Sequence, residues 1–202
     1  MDKIAASAAI LTGGKSKRFG QDKTFLRLND HQVSIQVYHL LKGIFSQVFF
    51  VSGPEKKEFI EDAVVFPDLW PDIGPLGGLA TALNYAEYPF CFLTGCDLPF
   101  ITGDLIKILW QQADSFDIIV PTWRGNSEPL VCFYHKRCLN AINIAIESGT
   151  FMLKGFWQEL NINYVDMLTF YSESEVKQIF LNINTPEDYR RALRMIKNIK
   201  PE

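Results

Sequence analysis

The sequence predicts an α/β protein with a mostly parallel central sheet and helices on both faces. Short apolar segments typical of buried strands alternate with segments whose apolar residues recur at helical spacing. The chain has 202 residues, of which 48% are hydrophobic, so it can bury one substantial core. No linker, repeat or low-complexity segment divides it. We therefore expect a single domain over residues 1–202.

The first half of the chain carries the clearer pattern. Strands are predicted over residues 4–11, 47–51, 63–66, 90–94 and 116–120. Helices are predicted over residues 33–44 and 54–61, after the Gly77-Gly78 pair, and after Thr102, whose hydroxyl can cap a helix.

The second half is less regular, and the order of its strands in the sheet cannot be derived from the sequence. Strands are predicted over residues 130–134, 162–166 and 180–183, and helices over 138–147 and 151–160. A last helix is predicted from about residue 186, because Thr185 can cap it, Pro186 suits its first position and two acids follow.

The segment 11–23 has the composition of an anion-binding loop. It places three glycines and four cations in thirteen positions, directly after the first predicted strand. Glycines let backbone N–H groups approach a phosphate closely, and cations supply the opposite charge. It is not a Walker A loop, which needs glycine at Ala9, nor a dinucleotide fingerprint, which needs glycine at Arg18. The alternative is a glycine turn with a solvated basic rim.

Three further segments follow predicted strands, where parallel α/β sheets bind their ligands. Asp97 follows the strand 90–94 and precedes Pro99, so its carboxylate could hold Mg²⁺ beside phosphate oxygens or merely cap a turn. Asp68 has the same two interpretations. The segment 74–78 could pack a flat base against its glycines or simply start a helix. Asn182 and Asn184 lie at the end of the last predicted strand.

Composition excludes some functions and favours others. The formal net charge of −3 argues against nucleic-acid or membrane-surface binding. The four cysteines lie in apolar or helical contexts and are expected to be reduced and buried, while His135 and Cys138 make only half a zinc site. No apolar run approaches membrane-spanning length, so we expect a cytoplasmic protein.

Together these motifs resemble the molybdenum cofactor guanylyltransferases, within the wider nucleotidyltransferases that have a Rossmann-like fold. The resemblance spans nearly the whole chain. It rests on the following segments: Leu11-Thr12-Gly13-Gly14-Lys15-Ser16-Lys17-Arg18-Phe19-Gly20-Gln21-Asp22-Lys23, Gly74-Pro75-Leu76-Gly77-Gly78, Gly95-Cys96-Asp97-Leu98-Pro99 and Asn182-Ile183-Asn184-Thr185-Pro186-Glu187. Thr12 and Phe19 replace a common alanine and methionine, and Val51-Ser52-Gly53 stands where the family often has an asparagine.

The resemblance implies transfer of GMP from GTP to the terminal phosphate of molybdenum-molybdopterin, with Mg²⁺ as cofactor and pyrophosphate as the second product. It implies catalytic roles for Lys23, Asp97 and Arg18, with Asp97 as the metal ligand and Lys15 beside the departing pyrophosphate. The residues implied in substrate binding are Leu11, Thr12, Gly13, Gly14, Lys23, Asp68, Gly77, Asp97, Asn182 and Asn184.

Other functions stay open at this point. Transient contacts with cofactor-biosynthesis proteins or molybdoenzymes are expected from the family. A related nucleotidyltransferase, making a cytosine dinucleotide or activating a sugar phosphate, would share Lys23 and Asp97 but prefer another nucleotide. A cofactor-delivery module without catalytic activity would bind nucleotide and release no pyrophosphate.

Overall fold

A computed structural model describes residues 3–12, 25–29, 31–53 and 63–198, and within them an α/β fold with ten strands and six α-helices. The strands are β1 (Ile4–Thr12), β2 (Arg27–Leu28), β3 (His31–Gln32), β4 (Phe45–Ser52), β5 (Val64–Pro67), β6 (Phe90–Gly95), β7 (Ile118–Trp123), β8 (Asn126–Ser127), β9 (Val131–His135) and β10 (Ile162–Asp166). The helices are α1 (Val33–Ile44), α2 (Pro75–Tyr85), α3 (Gly103–Trp110), α4 (Cys138–Glu147), α5 (Glu173–Ile179) and α6 (Pro186–Asn198).

Seven strands form the central sheet in the order β10-β7-β9-β6-β1-β4-β5, and β8 pairs with β7 outside this path. The pairs β1–β4, β1–β6, β4–β5 and β7–β10 are parallel. Strand β9 runs antiparallel to both of its neighbours, β6 and β7. The predicted mostly parallel sheet is confirmed. Because of the one reversed strand, the segment that precedes β9 lies at the same sheet edge as the segments that follow β1 and β6.

Helices cover both faces of this sheet, as predicted. The alternation along β1 shows it directly, because Ala8 and Ile10 pack with one buried cluster while Ala9 packs with the other. The first cluster takes residues of α1, α3, α5 and α6, and the second takes residues of α2 and α4. All three residues are fully buried. The sheet is therefore shielded on both sides, which explains why its central strands are continuously apolar.

Two predicted helix starts are confirmed at atomic detail. Thr102 caps α3, its hydroxyl accepting a hydrogen bond from Leu105 N at 3.2 Å. Before α6, the Asp188 carboxylate accepts hydrogen bonds from the backbone N–H and the hydroxyl of Thr185, and Thr185 Oγ1 accepts from Asp188 N at 3.2 Å. This reciprocal pair fixes where the last helix begins.

Two predicted elements are wrong. Residues 151–160 form successive turns instead of a helix, with Gly155 N donating to Met152 O and Glu159 at a φ of 70°. Residues 180–183 form no strand. The strand predicted over 116–120 lies at 118–123, α2 begins before the Gly77-Gly78 pair, and α5, β2, β3 and β8 were not predicted. The helix predicted over 54–61 lies outside the described residues.

All four cysteines are buried and free. Burial raises the pKa of the Cys91 thiol to about 12. In the described part of the chain, no helix is long and apolar enough to span a membrane.

Candidate active site

The carboxyl ends of β1 and β6 are joined by a backbone hydrogen bond, which fixes the centre of the candidate site. Leu11 pairs with Gly95 in the sheet, and the carbonyl oxygen of Leu11 accepts a hydrogen bond from Cys96 N at 3.2 Å. Thr12 is buried, and its hydroxyl donates to the carbonyl oxygen of Val51 at 3.1 Å. The Thr12 side chain is thus engaged inside the protein, so any ligand contact it makes must come from its backbone.

Asp97 lies at this centre. Its residue is only 8% exposed, which is unusual for a carboxylate. Gly95 leaves the space that the carboxylate occupies, because a Cβ atom at Gly95 would lie 2.7 Å from Asp97 Oδ1. A side chain at position 95 would therefore displace the carboxylate.

The segment 182–184 contacts Asp97 although no strand precedes it. Ile183 is fully buried, and its N–H donates to the carbonyl oxygen of Asp97 at 3.0 Å. Asp188 holds the next residue, accepting a hydrogen bond from Asn184 N at 3.1 Å. The structure thus places the segment that contains Asn182 and Asn184 next to Asp97, although the strand predicted at 180–183 is absent. That these two asparagines bind substrate stays a prediction.

Asp68 follows β5 and is held by two donors. Its N–H donates to Ser52 O at 2.8 Å, and its Oδ1 accepts from Trp70 N at 2.9 Å and from the Thr81 hydroxyl at 2.8 Å. Thr81 is fully buried in α2 and also accepts a hydrogen bond from Leu69 N at 3.0 Å. The sequence analysis did not identify Thr81, since a threonine on a buried helix face has no distinctive pattern.

The glycines of segment 74–78 fill tight positions inside the protein. A Cβ atom at Gly77 would lie 2.5 Å from the carbonyl oxygen of Trp70, and one at Gly78 would lie 3.0 Å from Leu11 Cδ2. Both glycines are buried in the first turns of α2. The helix-start interpretation of this segment is confirmed, and the space beside each glycine is filled by Trp70 or Leu11. A role for Gly77 in binding nucleotide stays a prediction.

A second group of polar residues lies across β6, beyond Asp97. A cavity of about 420 Å³ is lined by residues from the β7–β9 region and from α5, α6 and the segment before α6, among them Trp123, Glu128, Lys177, Phe180, Asn182 and Arg191. Burial raises the pKa of the Glu128 carboxyl, an effect that nearby Lys154 partly offsets. This cavity includes Asn182 and Asn184, so it adjoins Asp97 through Ile183.

Five of the residues that the sequence analysis singled out in the glycine loop lie outside the described residues: Gly13, Gly14, Lys15, Arg18 and Lys23. Their predicted roles stay predictions. Within residues 3–12, 25–29, 31–53 and 63–198, no group of three or more His, Cys, Asp or Glu side chains could hold a metal ion. Among the described residues, a metal at Asp97 would therefore have fewer than three His, Cys, Asp or Glu ligands. Mg²⁺ is commonly held by one or two carboxylates together with substrate phosphates and water.

Comparison with known proteins agrees with this arrangement. A protein of Pelotomaculum thermopropionicum named "probable molybdenum cofactor guanylyltransferase" is 31% identical over 96% of this chain and 95% of its own length. The molybdenum cofactor guanylyltransferase of Desulfosudis oleivorans is 29% identical, with 96% of each chain covered. The crystal structure of molybdopterin-guanine dinucleotide biosynthesis protein A from Archaeoglobus fulgidus superimposes with a TM-score of 0.81 at 23% identity, covering 96% of this chain and 100% of that one.

Together, the Rossmann-like fold and these relatives define a nucleotidyltransferase. A family model described as "MobA-like NTP transferase domain" matches residues 8–158. The chain belongs to this family, and its general activity is nucleotidyl transfer of the MobA type. The matched range contains the end of β1 from residue 8 onward, Asp68 and Asp97, whereas Asn182 and Asn184 lie beyond it.

Proposed function

We propose that this protein transfers the GMP moiety of GTP to the terminal phosphate of molybdenum-molybdopterin, giving the guanine dinucleotide form of the cofactor and pyrophosphate. The names of its relatives support this choice of substrates. The structural observation that carries it is the meeting of three distant segments at Asp97, through the Leu11–Cys96 and Asp97–Ile183 hydrogen bonds. Such a junction at the carboxyl edge of the sheet can hold two substrates side by side.

The nucleotide is assigned to the side of β1, β4 and β5. Leu11 and Thr12 end β1 there, and Asp68 follows β5 with one carboxylate oxygen fixed by two donors. A fixed carboxylate is suited to accept hydrogen bonds from N–H or O–H groups of a nucleotide. By family resemblance, Gly13 and Gly14 would line the nucleotide, and Lys23 would lie against its phosphates. Arg18 with Lys15 would neutralise the departing pyrophosphate.

Mg²⁺ fits the Asp97 position. The carboxylate is buried at the sheet edge beside a glycine, and magnesium is commonly held by one or two carboxylates together with substrate phosphates. When bound there, the ion would neutralise charge on the phosphate oxygens. Asp97 would hold it, and Lys23 with Arg18 would supply further positive charge.

In the proposed reaction, an oxygen of the acceptor phosphate attacks the α-phosphorus of GTP. A new P–O bond forms, the bond to the β-phosphate breaks, and pyrophosphate departs with the electron pair. The attacking phosphate is already ionised at neutral pH, so positioning and charge neutralisation suffice without a strong general base. The acceptor is assigned to the side of β9 and β7, where Asn182 and Asn184 line the cavity beside Asp97.

The test is pyrophosphate release with Mg²⁺ and GTP, CTP, ATP or UTP, each with and without molybdenum-molybdopterin. Release that needs both GTP and the pterin supports the proposal. Preference for another nucleotide would indicate a related nucleotidyltransferase, and tight nucleotide binding without release would indicate a delivery module.

Two variants test the residue roles in the same assay. Asp97→Asn should abolish transfer without unfolding the protein, and Lys23→Ala should remove most of the activity. Asp114→Asn, at an exposed position after α3, is the matched control and should retain full activity. Normal turnover by the Asp97 variant would refute its role as metal ligand. A cytoplasmic location and contacts with cofactor-biosynthesis proteins or molybdoenzymes stay predictions.

A further inference from the structure

The cavity beyond Asp97 contains a carboxylate that has no hydrogen-bond donor among the residues the structure describes. Glu128 lines the cavity and is half-buried. Within the described residues its carboxylate accepts no hydrogen bond, and Lys154 is the one cation that acts on its pKa. A carboxylate that is partly removed from water and given no donor is destabilised relative to one in solution.

The backbone around this side chain is firmly held. Glu128 N donates to Pro121 O at 3.0 Å, and Glu128 O accepts from Val131 N at 3.0 Å. Val131 in turn pairs with Thr94 at the end of β6. Glu128 is therefore anchored to the strand that leads to Asp97, so the absence of a partner does not result from a loose position.

Two other lining residues also have unmet hydrogen-bonding capacity. Trp123 Nε1 and Asn182 Oδ1 are buried and have no partner within the described part of the chain. Buried polar atoms in native proteins are nearly always paired, and exceptions are often found at functional sites. The concentration of three such groups on one cavity indicates a wall built to complete its hydrogen bonds with a ligand.

The chemistry of Glu128 defines the ligand edge that it can recognise. A carboxylate with two open oxygens pairs best with two adjacent, parallel N–H donors. The 2-amino-4-oxo edge of a pterin offers this arrangement, with its 2-amino group beside N3–H. The cavity volume of about 420 Å³ lies in the range of small-molecule sites.

We propose that Glu128 is a specificity-determining residue that binds the 2-amino-4-oxo edge of the acceptor's pterin in the cavity beyond Asp97. This inference rests on the proposed function, which supplies a pterin acceptor. Guanine carries the same edge, so GTP is the other source of this chemistry. The acceptor is favoured because β9 and β7 lie on one side of β6, while β1, β4 and β5 lie on the other.

The first experiment measures steady-state kinetics with molybdenum-molybdopterin and GTP. In Glu128→Gln, which keeps the size of the side chain and removes its charge, the KM for the acceptor should rise about tenfold or more. The kcat and the KM for GTP should stay within about twofold of wild type, since the reacting groups are untouched. A rise in the KM for GTP instead would assign Glu128 to the nucleotide, and an unchanged acceptor KM would also overturn the inference.

The second experiment reads binding without turnover. The Kd of 6-hydroxymethylpterin, followed by its fluorescence, is compared with that of 6-hydroxymethyllumazine, which has an oxygen in place of the 2-amino group. Wild type should prefer the pterin by about tenfold, and Glu128→Gln should lose that preference. A preference that survives in the variant, or no binding of either compound by wild type, would overturn the inference.

Three controls separate this result from other causes. Glu147→Gln, at an exposed position of α4, should behave as wild type in both experiments. Thermal unfolding shows whether Glu128→Gln is folded, and Glu128→Asp, which retains the charge, should keep part of the preference for the pterin. If wild type releases no pyrophosphate with GTP and the acceptor, the proposed function fails, whereas the binding experiment still tests Glu128.

Discussion

The hydroxyl of Thr81 should contribute about 2 kcal/mol to the free energy of unfolding. It should also hold the Asp68 carboxylate in the orientation proposed to bind nucleotide. Thr81 is fully buried, donates to Asp68 Oδ1 at 2.8 Å and accepts from Leu69 N at 3.0 Å. Thr81→Val keeps the shape of the side chain and removes both hydrogen bonds. A hydrogen bond to a charged group contributes roughly 1.5–3 kcal/mol, and the Leu69 N–H loses its partner as well.

The assay is thermal and denaturant unfolding, together with the KM for GTP. For a chain of this size, a loss of about 2 kcal/mol lowers the midpoint of thermal unfolding by roughly 4–8 °C. The KM for GTP should rise while kcat changes little, because Asp68 loses one of the two donors on its Oδ1. Thr81→Ser keeps the hydroxyl and loses only a buried methyl group, so its KM should stay near that of wild type and its stability should fall by about 1 kcal/mol.

A double variant separates the two effects of Thr81. If Thr81 acts on the nucleotide through Asp68, adding Thr81→Val to Asp68→Asn should raise the KM no further, although stability still falls. Equal stability of wild type and Thr81→Val would refute the energetic reasoning. A Thr81→Ser variant with a higher KM than Thr81→Val would refute the positioning role.

Three further predictions concern close contacts and burial. Gly95→Ala should abolish transfer with little loss of stability, because the new methyl group would lie 2.7 Å from Asp97 Oδ1 and displace the carboxylate. Activity and thermal unfolding measure the two effects, and an active variant would contradict this prediction. Gly77→Ala should destabilise the fold by about 1–3 kcal/mol in denaturant unfolding, because its Cβ would lie 2.5 Å from the Trp70 carbonyl oxygen; unchanged stability would show that the backbone yields at low cost. Cys91, with its pKa raised to about 12 by burial, should resist thiol reagents at about pH 8 until denaturant is added, and rapid labelling of the native protein at this position would disprove it.

The sequence predicted most of the regular elements because their signals are local. The helix cap at Thr185 was predicted from four residues, and its hydrogen bonds are present. The prediction of a helix over 151–160 is wrong because the segment is rich in apolar residues but does not place them at helical spacing. Phe156 and Trp157 are buried neighbours, whereas Phe151 and Met152 are exposed, so the segment has no single apolar helix face.

The sequence identified some residues of the candidate site and not others, for a physical reason. Asp68 and Asp97 follow parallel strands, and the rule for such sheets identified them. Glu128 precedes its strand, and it lies at the same edge only because β9 is reversed. The sequence does not encode strand direction locally. Trp123 and Asn182 line the same cavity only because of tertiary packing, which no sequence motif predicts.

The hydrogen bond from Ile183 to Asp97 joins segments that are far apart along the chain and has a kinetic consequence. Closing so long a loop costs conformational entropy before the contact contributes any favourable free energy. This contact is therefore expected to form late in folding. During synthesis, β1, β6 and Asp97 leave the ribosome well before residue 183 does. A newly made chain can therefore build most of its sheet before the segment 182–184 is made, and the proposed acceptor site is complete only once that segment has joined the cavity beyond Asp97.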